Sequence, residues 1–235
     1  MSKTLPQKRN STNRLYLLRH GENPANINKE FSSRKVDHSL TEKGILQAKQ
    51  TADYFTDQGL DAVYSSPLKR AAQTAGIIAG RLGLEVTVLE TFREIDVGSL
   101  EGRPATPADW ALHARIMNDW FDGKHDVAFP DGENYNDMWA RMNDGLLAAT
   151  AGRSDQGILV VGHGGIMTIT LKDLCLDLDV DWLRTTLWDN CAFARVDLTR
   201  QDGCLRGQLS SWNNHQHLHG EAADLVPGVP KEEEN

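Results

Sequence analysis

The sequence predicts an α/β protein, a three-layer α/β/α fold with a mostly parallel central sheet. Strand-like runs at residues 15–18, 61–65 and 158–161 alternate with segments that place apolar residues at helical intervals. Strands that alternate with helices favour a parallel sheet covered by helices on both faces. At 235 residues, the chain is long enough to bury one sizeable core.

The first strand runs into a polar turn formed by Arg19 and His20, which Gly21 follows. The strand at residues 158–161 ends in the same way, with His163 between glycines. Ligands of open α/β sheets bind beyond the carboxyl ends of the strands. One histidine in such a place is more often a core or loop side chain satisfied by the backbone, but two in matched settings indicate a shared site.

Two helices are predicted between these strands. Thr41 is a candidate N-cap for the first, which has apolar positions 45, 48, 52 and 55 on one face and ends at Gly59. Ser66 and Pro67 begin the second, which carries Arg70 in its first turn. Because a helix N-terminus is positive, this end of the helix favours an anion beside Arg70.

The remainder of the chain continues the alternation. Residues 85–89 are predicted to form a third strand, and residues 93–102 a turn-rich segment. Two helices rich in aromatic residues at about 104–151 indicate a helical insertion near the active site. The last predicted elements are a helix near residues 165–174 and strands at 192–198 and 205–212.

We expect a single domain at residues 14–220. The N-terminal residues 1–13 are expected to be a disordered tail, because they are polar and lack the apolar region of a signal peptide. Residues 221–235 are expected to be an acidic C-terminal tail.

Composition limits the partners. The formal net charge of -8 argues against nucleic-acid binding, so any anion site must be a local pocket. Cys175, Cys191 and Cys204 are widely spaced, which indicates neither a disulfide framework nor a zinc site, and a cytoplasmic location fits best. No stretch approaches the length of a membrane span, so no membrane partner is expected.

Five residues together indicate phosphoryl chemistry: Arg19, His20, Arg70, Glu94 and His163. Four of them are able to carry positive charge, and guanidinium groups bind the oxygens of a phosphate dianion bidentately. An imidazole held by a hydrogen bond at one nitrogen can attack phosphorus with the other. A carboxyl group near the leaving oxygen completes such a site, and Glu94 is the available candidate, with Glu101 as its competitor.

Four blocks of this sequence, at residues 19–22, 65–75, 93–102 and 162–165, occur in the order typical of one family. Through them the chain resembles the histidine phosphatase superfamily, also called phosphoglycerate mutase-like, over residues 14–217. The resemblance implies a phosphohistidine mechanism that needs no cofactor and no metal.

The resemblance also implies a role for each residue. His20 would be the nucleophile, and Glu94, which precedes the family's Gly-x-x-Glu-Gly element, would protonate the leaving oxygen and then activate water. The phosphoryl group would be bound by Arg19, Asn26, Arg70, His163 and Gly164. For Asn26, a helix cap is an equally good interpretation.

Members of this family act as mutases or as phosphatases. The glycolytic mutases have a tyrosine-containing stretch after the catalytic acid and a long insertion before the second histidine. Here Ile95 and Asp96 follow Glu94, and His163 lies only 69 residues after it. We therefore expect a phosphomonoesterase acting on a small phosphorylated metabolite, with a phosphoglycerate mutase and a non-catalytic sensor of a phosphorylated ligand as alternatives. A homodimer is left open.

Three further groups have two interpretations each. Arg34, Lys35 and His38 would meet a second anionic group on the substrate or form a solvated loop. Aromatic and basic residues of the insertion would contact the leaving group or belong to the core; they are Trp110, His113, Arg115, Tyr135 and Trp139. The histidines at 215, 217 and 219 would share one face and chelate a metal if their segment is extended, or residues 212–218 would form the closing Asn-to-His-Leu element that they resemble in many phosphatases of this family.

Overall fold

The computed structural model describes residues 12–201 and 203–226. In chain order, the strands are β1 (Asn13–Arg19), β2 (Ala62–Ser65), β3 (Val86–Val88), β4 (Gly157–Gly162), β5 (Phe193–Gln201) and β6 (Cys204–Asn214). The helices are α1 (Pro24–Asn28), α2 (Glu42–Phe55), α3 (Lys69–Leu82), α4 (Pro107–Phe121), α5 (Tyr135–Thr150), α6 (Gly164–Leu174) and α7 (Val180–Thr185). Short 3-10 turns occupy Glu90–Phe92, Gly98–Leu100 and Gly220–Ala223.

The strands form one six-stranded sheet in the order β3-β2-β4-β1-β5-β6. The first four strands in this order, β3, β2, β4 and β1, are parallel to one another, as the sequence predicts. Strands β5 and β6 run antiparallel, and Gln201 pairs with Cys204 across a short connection. A connection this short joins only antiparallel strands, which accounts for the opposite directions of β5 and β6.

Successive residues of the central strands face opposite layers. Leu15 and Leu17 of β1 pack in the cluster that also contains the apolar residues of α4, α5 and α6. Tyr16 and Leu18 pack in a second cluster with α2 and α3. Because side chains alternate along a strand, β1 contributes to both cores and the molecule has three layers. The two helices at 104–151 therefore belong to the helical layer on one face of the sheet.

The structure confirms the predicted start of α2, but the helix ends earlier than predicted and buries a slightly different face. Thr41 is the N-cap, since its Oγ1 accepts a hydrogen bond from the Gly44 amide at 3.0 Å. The helix ends at Phe55 rather than at Gly59. Ile45, expected on the buried face, is 37% exposed. Helix α3 begins at Lys69, later than the Ser66 and Pro67 signal, and still carries Arg70 in its first turn.

Two helices were missed by sequence reasoning because each is too short to show a hydrophobic period. Helix α1 has five residues and is held by a capping box between Asn23 and Asn26. Helix α7 has six residues and is capped by Asp179, whose Oδ1 accepts from the Asp181 amide at 2.9 Å. Asp179, one of three alternate aspartates at positions 177, 179 and 181, thus serves as a helix cap.

The chain ends do not follow the expected boundaries. Residues 1–11 of the predicted N-terminal tail lie outside the described residues, and Asn13 already begins β1. Residues 221–226 were also expected to belong to the acidic tail, but Ala222 is buried and its carbonyl accepts a hydrogen bond from Gln47 Nε2 at 3.1 Å. Residues 227–235 lie outside the described part of the chain. Among the described residues, no helix has the length and apolar character to cross a membrane.

Candidate active site

The parallel pairing of β1 with β4 brings the two histidines together. Arg19 stands opposite Gly162 in the ladder, so His20 and His163 follow at equivalent positions beyond the strand ends. The His20 amide donates to the Gly162 carbonyl at 3.0 Å. Both side chains are buried, and their ring centroids are 5.3 Å apart. The prediction that these two residues share one site is supported by this geometry.

Arg70 bridges the two rings. From the first turn of α3, its Nε donates to His20 Nε2 at 3.0 Å, and its Nη2 lies 3.0 Å from His163 Nδ1. The remaining donors bind Ser32, with Nη1 to Oγ at 2.9 Å and Nη2 to the carbonyl at 2.7 Å. One planar guanidinium therefore fixes both imidazoles, which a lysine ammonium would not do with the same geometry.

The remaining ring nitrogens have partners that define the tautomers. His20 Nδ1 lies 2.7 Å from the Gly21 carbonyl and donates to it, which leaves Nε2 as an acceptor. His163 Nε2 lies 2.7 Å from Ser66 Oγ, while its Nδ1 accepts from Arg70. Each ring thus accepts one hydrogen bond from Arg70, and a ring that accepts is neutral.

Burial and nearby cations reinforce the neutral state of both rings. Burial, with Arg70 and then Arg19, holds the pKa of His20 well below its ordinary value of 6.5. Burial, followed by Arg70 and His20, does the same to the pKa of His163. Burial also lowers the pKa of Arg70 to about 10, which leaves the guanidinium charged at neutral pH.

We expect His20 and His163 to remain neutral as the pH falls through 6.5, because burial and the nearby cations hold their pKa values well below that ordinary value. The measurement is a titration of the histidine ring resonances by NMR, with assignments taken from His20→Gln and His163→Gln variants. Adding inorganic phosphate as a dianion should raise both pKa values, since a nearby negative charge favours the protonated ring. A titration midpoint at or above 6.5 in the free protein would contradict this expectation.

Arg19, the last residue of β1, lies beside the second histidine turn. Its Nη1 donates to the Trp188 carbonyl, and a Cβ added to Gly164 would lie 3.5 Å from Arg19 Cδ. Burial lowers its pKa, which the nearby carboxylates of Glu94 and Asp189 oppose. The structure thus brings Arg19 and Gly164 together next to His163.

Glu94 lies at the N-terminus of α6, adjacent to His163 in space. Its Oε1 accepts from the Ile166 amide at 2.9 Å, and its Oε2 accepts from the Gly165 amide at 3.3 Å. The positive end of the helix favours a carboxylate there. A Cβ on Gly165 would approach Glu94 Oε1 to 3.1 Å, so this glycine leaves room for the carboxyl group.

Glu101, the competing candidate for the acid, has a different position and different partners. Its carboxylate accepts hydrogen bonds from the backbone amides of residues 33–36 and from Ser33 Oγ. Burial raises its pKa, but these donors outweigh that effect and the pKa lies below its usual value. Glu101 therefore organises the loop at residues 33–36, and of the two carboxylates Glu94 is the one at the α6 N-terminus beside His163.

The structure gives Asn26 the helix-cap role. Its Oδ1 accepts from the Asn23 amide at 3.2 Å within the α1 capping box. The same oxygen accepts from Asn190 Nδ2 at 3.0 Å, and Asn190 Nδ2 also donates to the His20 carbonyl at 3.0 Å. Asn26 is thus linked through Asn190 to the backbone of His20, and its contact with phosphate stays a prediction.

Three polar residues of the site were missed by sequence reasoning. Ser32 binds Arg70, Ser66 binds His163, and Asn190 binds the His20 carbonyl. Ser66 was visible only as a helix-start signal, and Ser32 and Asn190 carried no pattern that distinguishes them from loop residues. By contrast, a glycine at position 21 already suggests a close backbone approach. In the structure, a Cβ there would lie 2.6 Å from the Gly44 carbonyl oxygen.

Two of the three basic loop residues, Arg34 and His38, have acidic partners. Arg34 Nε lies 2.5 Å from Asp96 Oδ2 with half of its side chain exposed, and His38 Nε2 lies 3.2 Å from Glu30 Oε2. Exposed pairs of this kind leave the cations accessible to solvent. The geometry is therefore compatible with both interpretations, a solvated loop and a second anion site.

Most aromatic residues of the insertion belong to the core. Tyr135 is buried, and Trp139 packs against the same cluster. Trp110 and His113 stack on Phe31, with ring centroids 4.3 and 5.4 Å away, directly before Ser32 in the chain. Burial lowers the pKa of His113 to about 4. Arg115 is exposed.

The three C-terminal histidines do not form a metal site. Strand β6 ends at Asn214, so His215 and His217 do not continue an extended face. His217 instead lies 2.9 Å through Nε2 from Thr51 Oγ1 and stacks on Tyr54. Within residues 12–201 and 203–226, no group of three metal-ligating side chains is placed to hold an ion. The three cysteines are free.

Known proteins resemble this chain in sequence and structure. The family model of the histidine phosphatase superfamily (branch 1) matches residues 15–215. A probable phosphoglycerate mutase, GpmB, of Yersinia pestis is 32% identical over 217 residues, which cover 89% of this chain and 97% of that protein.

Two solved structures are similar over nearly their whole length. A mycobacterial glucosyl-3-phosphoglycerate phosphatase in complex with VO3 aligns with a TM-score of 0.71 at 25% identity, covering 85% of this chain and 98% of that one. A mutant phosphoserine phosphatase from Entamoeba histolytica, in complex with phosphoserine, aligns with a TM-score of 0.70 at 26% identity, covering 88% of this chain and 100% of that one.

Proposed function

Because the chain belongs to the histidine phosphatase superfamily (branch 1), we propose that it hydrolyses a small phosphate monoester through a phosphohistidine at His20. The observation that carries this proposal is the fixed orientation of His20. Its Nδ1 donates to the Gly21 carbonyl, and its Nε2 lone pair faces the donors of Arg70. A nucleophile held in this way attacks without first losing a proton to solvent.

In the first step, His20 Nε2 attacks phosphorus as the bond from phosphorus to the ester oxygen breaks. The N–P bond replaces the P–O bond, and the ester oxygen leaves as an alcohol after it takes a proton from Glu94. We assign this proton to Glu94 because its carboxyl group is held next to His163, where it meets the amides of Gly165 and Ile166. Arg70 and the substrate compete for His20 Nε2, so the Arg70 hydrogen bond must pass from the ring to the phosphoryl oxygens.

In the second step, water attacks the phosphohistidine. The Glu94 carboxylate accepts a proton from the water, the N–P bond breaks, and inorganic phosphate and neutral His20 are restored. The order of proton transfers is the reverse of the first step, so one carboxyl group serves as acid and then as base.

Positive groups around the phosphoryl oxygens stabilise both steps. Arg19 and Arg70 supply two buried guanidinium groups, and we assign phosphoryl contacts also to His163, Gly164 and Asn26. Charge that is preorganised away from water contributes a large part of phosphoryl-transfer catalysis. Every assigned residue lies within the expected domain at residues 14–220.

We expect the purified protein to hydrolyse 4-nitrophenyl phosphate in the presence of EDTA and to be inhibited by vanadate. Quenching with alkaline detergent during turnover should trap a phosphorylated protein whose phosphate is retained in alkali and released by acid. Phosphorus NMR and peptide mapping identify the modified residue. Turnover that EDTA abolishes, or a phosphoenzyme that is stable in acid, would contradict the proposal.

A mutase is the second candidate, because the 32% identical Yersinia protein carries that name. Mutase and phosphatase share the phosphohistidine and differ in its acceptor, a sugar-acid hydroxyl or water. Phosphorus NMR of a reaction with 3-phosphoglycerate separates the two. Accumulation of 2-phosphoglycerate ahead of inorganic phosphate would favour the mutase.

A further inference from the structure

Arg141 of α5 contacts the backbone of the segment that carries Glu94. Its Nη1 donates to the carbonyls of Thr91 at 2.9 Å and Arg93 at 2.6 Å, and its Nη2 donates to the carbonyl of Glu94 itself at 3.2 Å. The side chain is four-fifths buried. Three carbonyls around the candidate acid thus depend on one guanidinium.

Glu133 completes this arrangement from the loop before α5. Its carboxylate pairs with Arg141 at two points, Oε2 to Nε at 2.9 Å and Oε1 to Nη2 at 2.6 Å. Oε1 also accepts from the Asp96 amide at 2.8 Å, and the Glu133 amide donates to the Asp96 carbonyl at 3.0 Å. The pair therefore holds the chain on both sides of Glu94, at residues 91–94 and at residue 96.

The held segment has little structure of its own. Residues 93–97 belong to no helix or strand, so their carbonyl groups need partners from elsewhere. Two glycines, Gly145 and Gly132, allow the insertion to approach this segment closely. A Cβ at Gly145 of α5 would lie 2.4 Å from Thr91 Oγ1, and a Cβ at Gly132 would lie 2.3 Å from the Asp96 carbonyl oxygen. The insertion thus packs directly against this loop.

We infer that Arg141 and Glu133 are positioning residues for the general acid. They touch no reacting atom, and they hold the backbone from which the Glu94 carboxyl group reaches the leaving oxygen. The inference rests on the proposed function, since it requires Glu94 to protonate the leaving group. It gives the insertion at 104–151 a part in the chemistry of the site.

The test compares two substrates that differ in their need for an acid. The leaving group of 4-nitrophenyl phosphate departs as a stabilised anion, whereas that of glycerol 2-phosphate must be protonated. The ratio kcat/KM covers the steps up to the first departure of the leaving group, so it reports the acid directly. We expect Arg141→Met to lose about 10-fold more kcat/KM on glycerol 2-phosphate than on 4-nitrophenyl phosphate, a share of the roughly 100-fold or larger effect of a general acid.

Two milder variants keep the test informative if Arg141→Met unfolds. Arg141→Lys keeps the charge without the fork, and Glu133→Gln keeps an oxygen for the Asp96 amide without the charge. Both should show the same bias towards loss on glycerol 2-phosphate. The matched control is Arg103→Met, which removes the two-point pair between Arg103, just before the insertion, and Asp109 within it, and should show no bias.

Equal losses on both substrates in folded variants would overturn the inference, because a purely structural defect does not distinguish leaving groups. Glu94→Gln separates that result from a failure of the proposed function. If Glu94→Gln shows the bias and the Arg141 and Glu133 variants do not, only the positioning role is wrong. If Glu94→Gln shows no bias, the acid role is wrong and the positioning role falls with it.

Discussion

Replacing His20 with glutamine is expected to lower the turnover of 4-nitrophenyl phosphate by about 10⁴-fold or more, the scale seen when a covalent nucleophile is removed. Glutamine fills similar space and supplies no nucleophilic nitrogen, so the phosphohistidine cannot form. The measurement combines steady-state kinetics with alkaline-quench trapping of the phosphoenzyme. The trapped species should disappear together with the activity.

His219→Gln is the control, because His219 is exposed and lies in the C-terminal segment. It should retain the activity of the unmodified protein. Acid-labile phosphate on the His20→Gln variant would place the nucleophile elsewhere, with His163 as the next candidate because its ring lies 5.3 Å from that of His20.

Replacing Arg70 with lysine is expected to lower kcat/KM by about 10²- to 10³-fold or more, the range found for loss of one preorganised donor to a transition state. Lysine keeps the charge and loses the fork that contacts His20, His163 and Ser32 together. The loss of kcat/KM therefore measures the contribution of the guanidinium geometry separately from that of its positive charge. Steady-state kinetics with 4-nitrophenyl phosphate measures it.

Arg81→Lys is the matched control, since Arg81 lies on the same helix and pairs with Asp53 at the surface. Exposed ion pairs contribute little, so this variant should be indistinguishable from the unmodified protein in activity. An Arg70→Lys variant within a few-fold of normal kcat/KM would show that the bridging geometry is dispensable, and thermal unfolding of each variant verifies that the fold is intact.

Local patterns were sufficient for the centre of the molecule. The two apolar runs become β1 and β4, which end at Arg19 and Gly162, directly before His20 and His163. Because the two strands are parallel, their carboxyl ends lie at the same edge of the sheet. Arg70 was predictable because a proline and a serine mark the start of α3 nearby. These features depend on few residues that are adjacent in sequence.

The contacts that tune the site were not predictable, because their partners are distant in sequence. Asn190 binds the carbonyl of a residue 170 positions earlier, and Arg141 binds carbonyls 47 to 50 positions earlier. Nothing near either residue in the sequence identifies these partners. The same limit applies to Glu101, whose five donors come from residues 33–36.

The central pairing of β1 with β4 has a consequence for how proteins of this shape diverge. The gap between the two imidazoles, 5.3 Å from centroid to centroid, is close to the roughly 4.8 Å that separates neighbouring strands in any sheet. The distance between the rings therefore follows from the main-chain hydrogen bonds that join β1 and β4, and it does not depend on which apolar side chains fill the layers. Apolar substitutions in the layers can therefore accumulate without changing the spacing of the two rings, and this fold is shared with a mycobacterial phosphatase at only 25% identity.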